Sequence, residues 1–209
     1  MKKFLRSAVC LILCVILAVS FVGCSGSKAK SELLKGLTNE MTEENVIATV
    51  AAVEGGLKAF DEEVFNSCVS SKTLETILSF SKNHEQFKQL GKDIFANLSM
   101  EVQSVDLEAK TVTVSVNNKY LYIAASTFTS ELLKDGKFKL VNKLDDEVFL
   151  NNSLAELEKK IDESQMQEEP TVVTLSITQG EDYLVLNFDD DAEAAVSGKA
   201  LTAVKDLLN

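Results

Sequence analysis

The 209-residue sequence contains one histidine, one proline, nine glycines and no tryptophan. Each scarcity removes a class of chemistry. His84 stands alone in "SKNHEQFK", so the second histidine one helical turn on that a zinc-protease helix needs is missing. Its charged and amide neighbours give it a solvent-exposed or capping role at a helix start. No glycine-rich phosphate loop follows a strand, and Gly55-Gly56 falls inside a helical pattern, so nucleotide binding has no support. Serines are many, but none sits in the Gly-x-Ser-x-Gly elbow of a hydrolase nucleophile.

Cysteine is scarce as well. The four are Cys10, Cys14, Cys24 and Cys68. Cys10 and Cys14 fall in an uncharged run from Ala8 to Val22, preceded by Lys2, Lys3 and Arg6 and followed by Gly23 and Cys24. A basic end, an apolar middle of roughly 7–15 residues and a small residue at the cut make the order of a cleaved secretory signal peptide. A spanning helix needs about 20 apolar residues, and this run breaks into Gly, Ser and Lys first. The stretch Phe21-Val22-Gly23-Cys24 resembles the lipobox of bacterial lipoproteins, with Phe21 where Leu is usual. That resemblance implies cleavage between Gly23 and Cys24 and a diacylglyceryl thioether on the Cys24 sulfur. Acyl chains of the palmitate class would then hold the protein on the cell membrane, at its extracytoplasmic face. Each buried methylene contributes about 0.8 kcal/mol, so two or three long chains anchor durably.

Only Cys68 then remains in the exported domain. One thiol cannot close an intramolecular disulfide, so the domain depends on its core. Phe65 and Val69 lie at helical spacing from Cys68, which reads as a small buried hydrophobe; no second cysteine or nearby histidine would activate it. Loss of residues 1–23 removes three of the 21 basic residues and none of the 32 acidic ones, leaving 18 against 32 and a net charge of −14. Such a surface opposes binding to nucleic acid and to anionic lipid headgroups, which leaves the holding to the acyl chains.

After Cys24 the segment "SGSKAKSELLKGLTNE" suggests a short tether over 24–41. About 170 residues follow, enough for one domain over 42–209. Thr42, Glu43 and Glu44 form a helix start, and Val46, Val50, Val53, Leu57 and Phe60 recur on one face. Helical patterns continue over 62–68 and 72–80, and again from Asn83, whose cap could pair with Gln86, through Phe87, Leu90, Ile94 and Leu98. The period changes to two in "MEVQSVDLEAK" and "TVTVSVNN", predicting a hairpin with one dry face. Helical patterns return over 120–133 and 145–161, with a polar, basic loop over 134–143. Pro170 stops the second of these and introduces "TVVTLSIT", whose partner strand is "YLVLNF". Asp189, Asp190 and Asp191 open the last helix, with Asp190 and Glu193 as a capping box. Runs of helices between two hairpins predict an α+β domain: an antiparallel sheet of about four strands covered on one face.

The helical first half, the alternating strands, the helical insertion and the end "TVVTLSITQGEDYLVLNFDDDAEAAVSGKALTAVKDLL" resemble small bacterial lipoproteins with a nuclear-transport-factor-2-like domain, many of unknown function. In such relatives the last strand often carries Trp followed two places later by an apolar residue; here Tyr183 and Val185 hold those places. The resemblance implies a curved sheet wrapping helices into a cone that in many members encloses a cavity. Enzymes on that cone place an acid–base pair such as His with Asp, or Asp with Tyr, in the cavity.

No such pair is visible in the sequence. The acids Asp189 to Glu193 invite a calcium reading, but a loop started at Asn187 puts Ala192 where the sharp-turn Gly belongs and Gly198 where the bidentate Glu belongs. Helix capping explains them, and likewise Asp145, Asp146 and Glu147. Tyr120 and Tyr122 open a helix, where they either pack in the core or line a cavity mouth. The sequence therefore predicts no catalytic residue, no cofactor and no metal. It predicts a lipid-anchored, non-enzymatic domain binding a small apolar ligand or a protein partner, with a cavity enzyme or a component of an envelope or export assembly as alternatives.

Overall fold

The first long helix, α1 (Glu43–Ala59), starts where the Thr42 hydroxyl accepts the Asn45 N–H at 3.2 Å and Glu43 and Glu44 occupy the positive end of the helix dipole. Val46, Val50, Val53 and Leu57 line its buried face. It stops at Phe60, which adopts the left-handed conformation with φ 52° and buries its ring edge-on against Phe65 at 5.6 Å. Asp61 then caps α2 (Glu62–Cys68), accepting the N–H groups of Glu63 and Val64. Gly56 is where α1 and α2 meet: a Cβ there would lie 2.5 Å from Val64 Cγ1, so the glycine admits a neighbouring side chain.

This architecture comes from a computed structural model that describes residues 31–81, 85–133 and 147–208. After β1 (Val69–Ser70) come α3 (Lys72–Ser81), α4 (Glu85–Phe95), β2 (Ser99–Asp106), β3 (Thr111–Asn117), α5 (Tyr122–Leu133), α6 (Glu147–Glu163), β4 (Thr171–Gln179), β5 (Leu184–Asn187), α7 (Asp190–Val196) and α8 (Ala200–Leu208). The predicted loop over 134–143 and the cap at Asn83 lie outside the described residues.

The strands form one sheet in the order β1-β5-β4-β3-β2. Four of them pair antiparallel, as the alternation predicts. The fifth, β1, corrects that reading. It pairs parallel to β5 through Val69 and Ser70 and makes the sheet mixed. Two residues carry no alternation, so a strand this short leaves no periodic trace. Val112, Val114, Val116, Val173, Leu175, Ile177, Leu184 and Leu186 point into the core, against helices that include α1, α2 and α7. The opposite face carries Thr111, Thr113, Ser115, Thr174, Ser176 and Thr178, with the Thr113 and Thr174 hydroxyls 3.3 Å apart across the β3–β4 pair. The domain is therefore α+β, with a one-sided sheet.

A second apolar cluster joins α4, α5, α6 and α8 through Leu90, Leu121, Ala124, Leu154, Leu157, Ile161 and Ala203. Asn118 ties the two clusters together: fully buried, it donates to the carbonyls of Ile94 at 2.9 Å and Val196 at 2.8 Å. Part of the segment read as a tether also packs on the domain. Leu34 is buried, Ser31 Oγ donates to Asp61 at 2.7 Å, and Asn39 donates to the carbonyls of Gly180 and Glu181. Leu33, Leu34 and Leu37 among Ser, Lys and Glu are too few for a periodic signal, yet Leu34 is buried and Leu37 packs against the core.

Candidate functional site

Strand β2 closes one edge of the sheet, and beside it runs an open groove of about 380 Å³. Glu43, Ile47, Val50 and Ala51 of α1 form one wall, and residues 100–105 of β2 form the other. Val50 and Met100 are buried beneath it, Val102 and Val105 are half-buried at the margin of the core, and Ile47 is 44% exposed.

The hydrogen-bond register shows which main-chain groups of β2 are turned outward. Ile177 N–H donates to the Lys110 carbonyl, so the even-numbered residues of β3 direct their N–H and C=O groups at β4. Val102 lies opposite Val114 and Val105 opposite Val112, so neither exchanges hydrogen bonds with β3, and both turn theirs to the free edge. Two consecutive register pairs, Val102 with Val114 and Ser104 with Thr113, leave Gln103 as the extra residue of a bulge. The Met100 N–H also points away from β3, but it is already used: it donates to Glu54 Oε2 at 2.9 Å, and the other oxygen of Glu54 accepts from Lys58 at 2.6 Å. The edge is thus sealed at Met100 and open at Val102 and Val105. The groove can take main-chain hydrogen bonds and apolar contact from an extended segment, and its walls contribute two carboxylates, Glu43 and Glu101, and no basic side chain.

The residues singled out from the sequence lie elsewhere. Gly23, Cys24, His84, Asp145 and Asp146 are outside the described residues. Cys68 is fully buried, and desolvation pushes its thiol up to about 11. Tyr120 and Tyr122 stack with ring centroids 6.3 Å apart. Tyr122 packs on the second cluster and donates to Asp206 at 3.0 Å, a hydrogen bond to a carboxylate that raises its phenol above the ordinary value. Tyr120 stays 39% exposed beneath the Lys199 ammonium, so core packing describes Tyr122 and not Tyr120.

The acids of α7 divide their work differently from the predicted capping box. Asp189, not Asp190, is the N-cap, accepting the Ala192 N–H at 2.9 Å. Asp190 instead meets Lys205 at 2.6 Å, and that hydrogen bond and charge hold its carboxyl below the usual range. Glu193 is only 4% exposed and accepts from Ser71 Oγ at 2.5 Å, Thr73 Oγ1 at 2.8 Å and Lys205 Nζ at 2.9 Å. Ser71 also caps α3 by accepting the Leu74 N–H. This cluster clamps α3, α7 and α8 together with its acceptors occupied, which is a structural task. Among the described residues no group of three or more His, Cys, Asp or Glu is placed to hold a metal ion. The signal for Glu193 was present: it stands among Ala192, Ala195 and Val196, an acid in an apolar face.

Comparisons with protein-family models, with curated proteins and with solved structures return no match to this chain.

Proposed function

We propose that this is a lipid-anchored extracytoplasmic binding protein that docks an extended segment of a protein partner by strand addition at β2. The observation that carries this reading is the open edge at Val102 and Val105 beside the apolar wall of α1. Strand addition draws affinity from main-chain hydrogen bonds and specificity from alternate side chains, and the groove offers both. A small apolar molecule would satisfy Ile47 and the valines but leave the outward N–H and C=O groups without partners. The order of helices and hairpins supports a nuclear-transport-factor-2-like domain. The run 8–22 with Gly23-Cys24 supports the anchor and the membrane location.

The test uses the full-length chain in cells, with a photo-crosslinking residue at Ile47 and, in a second strain, the additional substitution Val102→Pro. The Val102 N–H makes no bond to β3, so proline at this edge position leaves the sheet intact while deleting an outward donor. A discrete adduct at Ile47 that Val102→Pro abolishes, with the folded protein still present at the same level, supports docking at the edge. An adduct pattern indifferent to the proline refutes it.

A further inference from the structure

We infer that the docked strand is basic on one face and apolar on the other; this deepens the strand-addition reading and rests on it. A strand laid against β2 points alternate side chains to the two faces of the sheet. On the α1 side they meet the methyl groups of Ile47, Val102 and Val105, which reward Val, Ile or Leu. On the open side they meet the row that β2 presents to solvent: Glu101, then Gln103 and Ser104 at the bulge, then Asp106. That row has an acid at each end and no base, and the next row on β3 is Thr111, Thr113 and Ser115, which carry no charge. Glu43 adds a third carboxylate at the α1 wall.

Directly opposed unlike charges stabilise a strand pair and like charges destabilise it, so a lysine-bearing face fits and a glutamate-bearing one is repelled. The seal at Met100 by Glu54 fixes the other limit. Pairing begins at Val102, so the occupant is short, with one apolar anchor over Ile47 and basic residues flanking it.

Three fluorescent peptides separate this inference from the reading beneath it: an alternating Lys/Val peptide, the same peptide with Glu for Lys, and the Lys/Val peptide with alternate amides N-methylated. Binding of each to the full chain in detergent is read by fluorescence anisotropy, beside the Glu43→Gln/Glu101→Gln/Asp106→Asn variant, in which the amide oxygen introduced at position 106 can still accept the turn N–H groups that Asp106 accepts. The Lys/Val peptide is expected to bind about tenfold or more tighter than the Glu/Val peptide, the summed effect of a few exposed charge contacts reversed in sign. The Glu43→Gln/Glu101→Gln/Asp106→Asn variant is expected to lose most of that discrimination, and N-methylation to abolish binding. Equal binding of both unmethylated peptides, lost on N-methylation, overturns the charge preference and leaves strand addition standing. Discrimination that persists in the triple variant also overturns it, because attraction to the net negative charge of the whole chain would then be responsible. Undiminished binding of the N-methylated peptide, or no binding of any peptide, overturns strand addition itself and this inference with it.

Discussion

Glu193 shows how one residue can hold three helices. Its carboxylate is the shared acceptor for Ser71, Thr73 and Lys205, and removing it strands two hydroxyl donors and leaves Lys205 paired with Asp190 alone. Glu193→Leu should lower stability by about 2–3 kcal/mol, and Glu193→Gln, which keeps an acceptor, by about half that. Urea midpoints at neutral pH check both. Cys68 makes a different prediction. Burial favours its neutral thiol, so the folded value near 11 lies above the ordinary 9.0. A raised value means that this contribution is complete below pH 9.0 and declines as pH climbs toward 11, with a slope of about 1.4 kcal/mol per pH unit. In a Cys10→Ser/Cys14→Ser/Cys24→Ser background, Cys68 should resist a thiol reagent until unfolded, and the alkaline decline of stability between pH 9.0 and 11 should be steeper with Cys68 than in Cys68→Ala by about that slope, because the raised Tyr122 phenol contributes equally to both proteins. A native thiol that reacts quickly at neutral pH would contradict both statements. The sequence already marked Cys68 as an inert core residue from its spacing to Phe65 and Val69. Glu193 reads in the sequence as a capping-box acid instead, because the hydroxyls that hold its carboxylate lie some 120 residues upstream.

At the scale of elements, periodicity carried most of the fold. The face of α1 and the dry faces of β3 and β4 could be read because each side is chemically uniform over several turns or alternations. Val172 and Val173 are adjacent and identical, yet the first is 63% exposed on the open face and the second buried, as a period of two requires. What the pattern could not contain is the order of strands across the sheet. That order makes β2 an edge, and the bulge at Gln103 breaks the alternation of "MEVQSVDLEAK" at the residues that wall the groove. The candidate site therefore depends on two tertiary facts, an edge and a bulge. Helix contacts hide in the same way at Gly91 of α4, where a Cβ would lie 2.1 Å from Phe60 Cε2. Phe60 cannot swing aside easily, because its left-handed backbone and its contact with Phe65 hold it. Gly91→Ala is expected to cost about 1–3 kcal/mol through overpacking even though alanine favours helix, and a thermal melt reads the sign directly. Stabilisation would show that the ring has room to move.

For the whole molecule the balance of charge decides how it can meet a membrane. Under the proposed processing the chain carries 18 basic and 32 acidic residues, so an anionic bilayer repels it. Among the described residues no helix is long and apolar enough to cross a membrane; under the proposed processing, retention of the domain would fall to the acyl chains on Cys24. Electrostatic and hydrophobic retention respond oppositely to salt. At about 1 M ionic strength the Debye length falls to about 3 Å, and a protein held by surface charge is released. A protein held by acyl methylenes stays, because their transfer free energy does not depend on screening. Membranes from cells making the full chain should therefore keep the protein through a high-salt wash and yield it to detergent. The extracted protein should have Cys24 at its N-terminus and a mass increased by acyl groups. Under the proposed processing, Cys24→Ala would prevent the thioether and the cut that follows it, so that variant should keep residues 1–23 and the larger precursor mass without added acyl mass. An unchanged mass in the variant, or release of the wild type by salt alone, would mean that something other than a lipid on Cys24 holds the protein at the membrane.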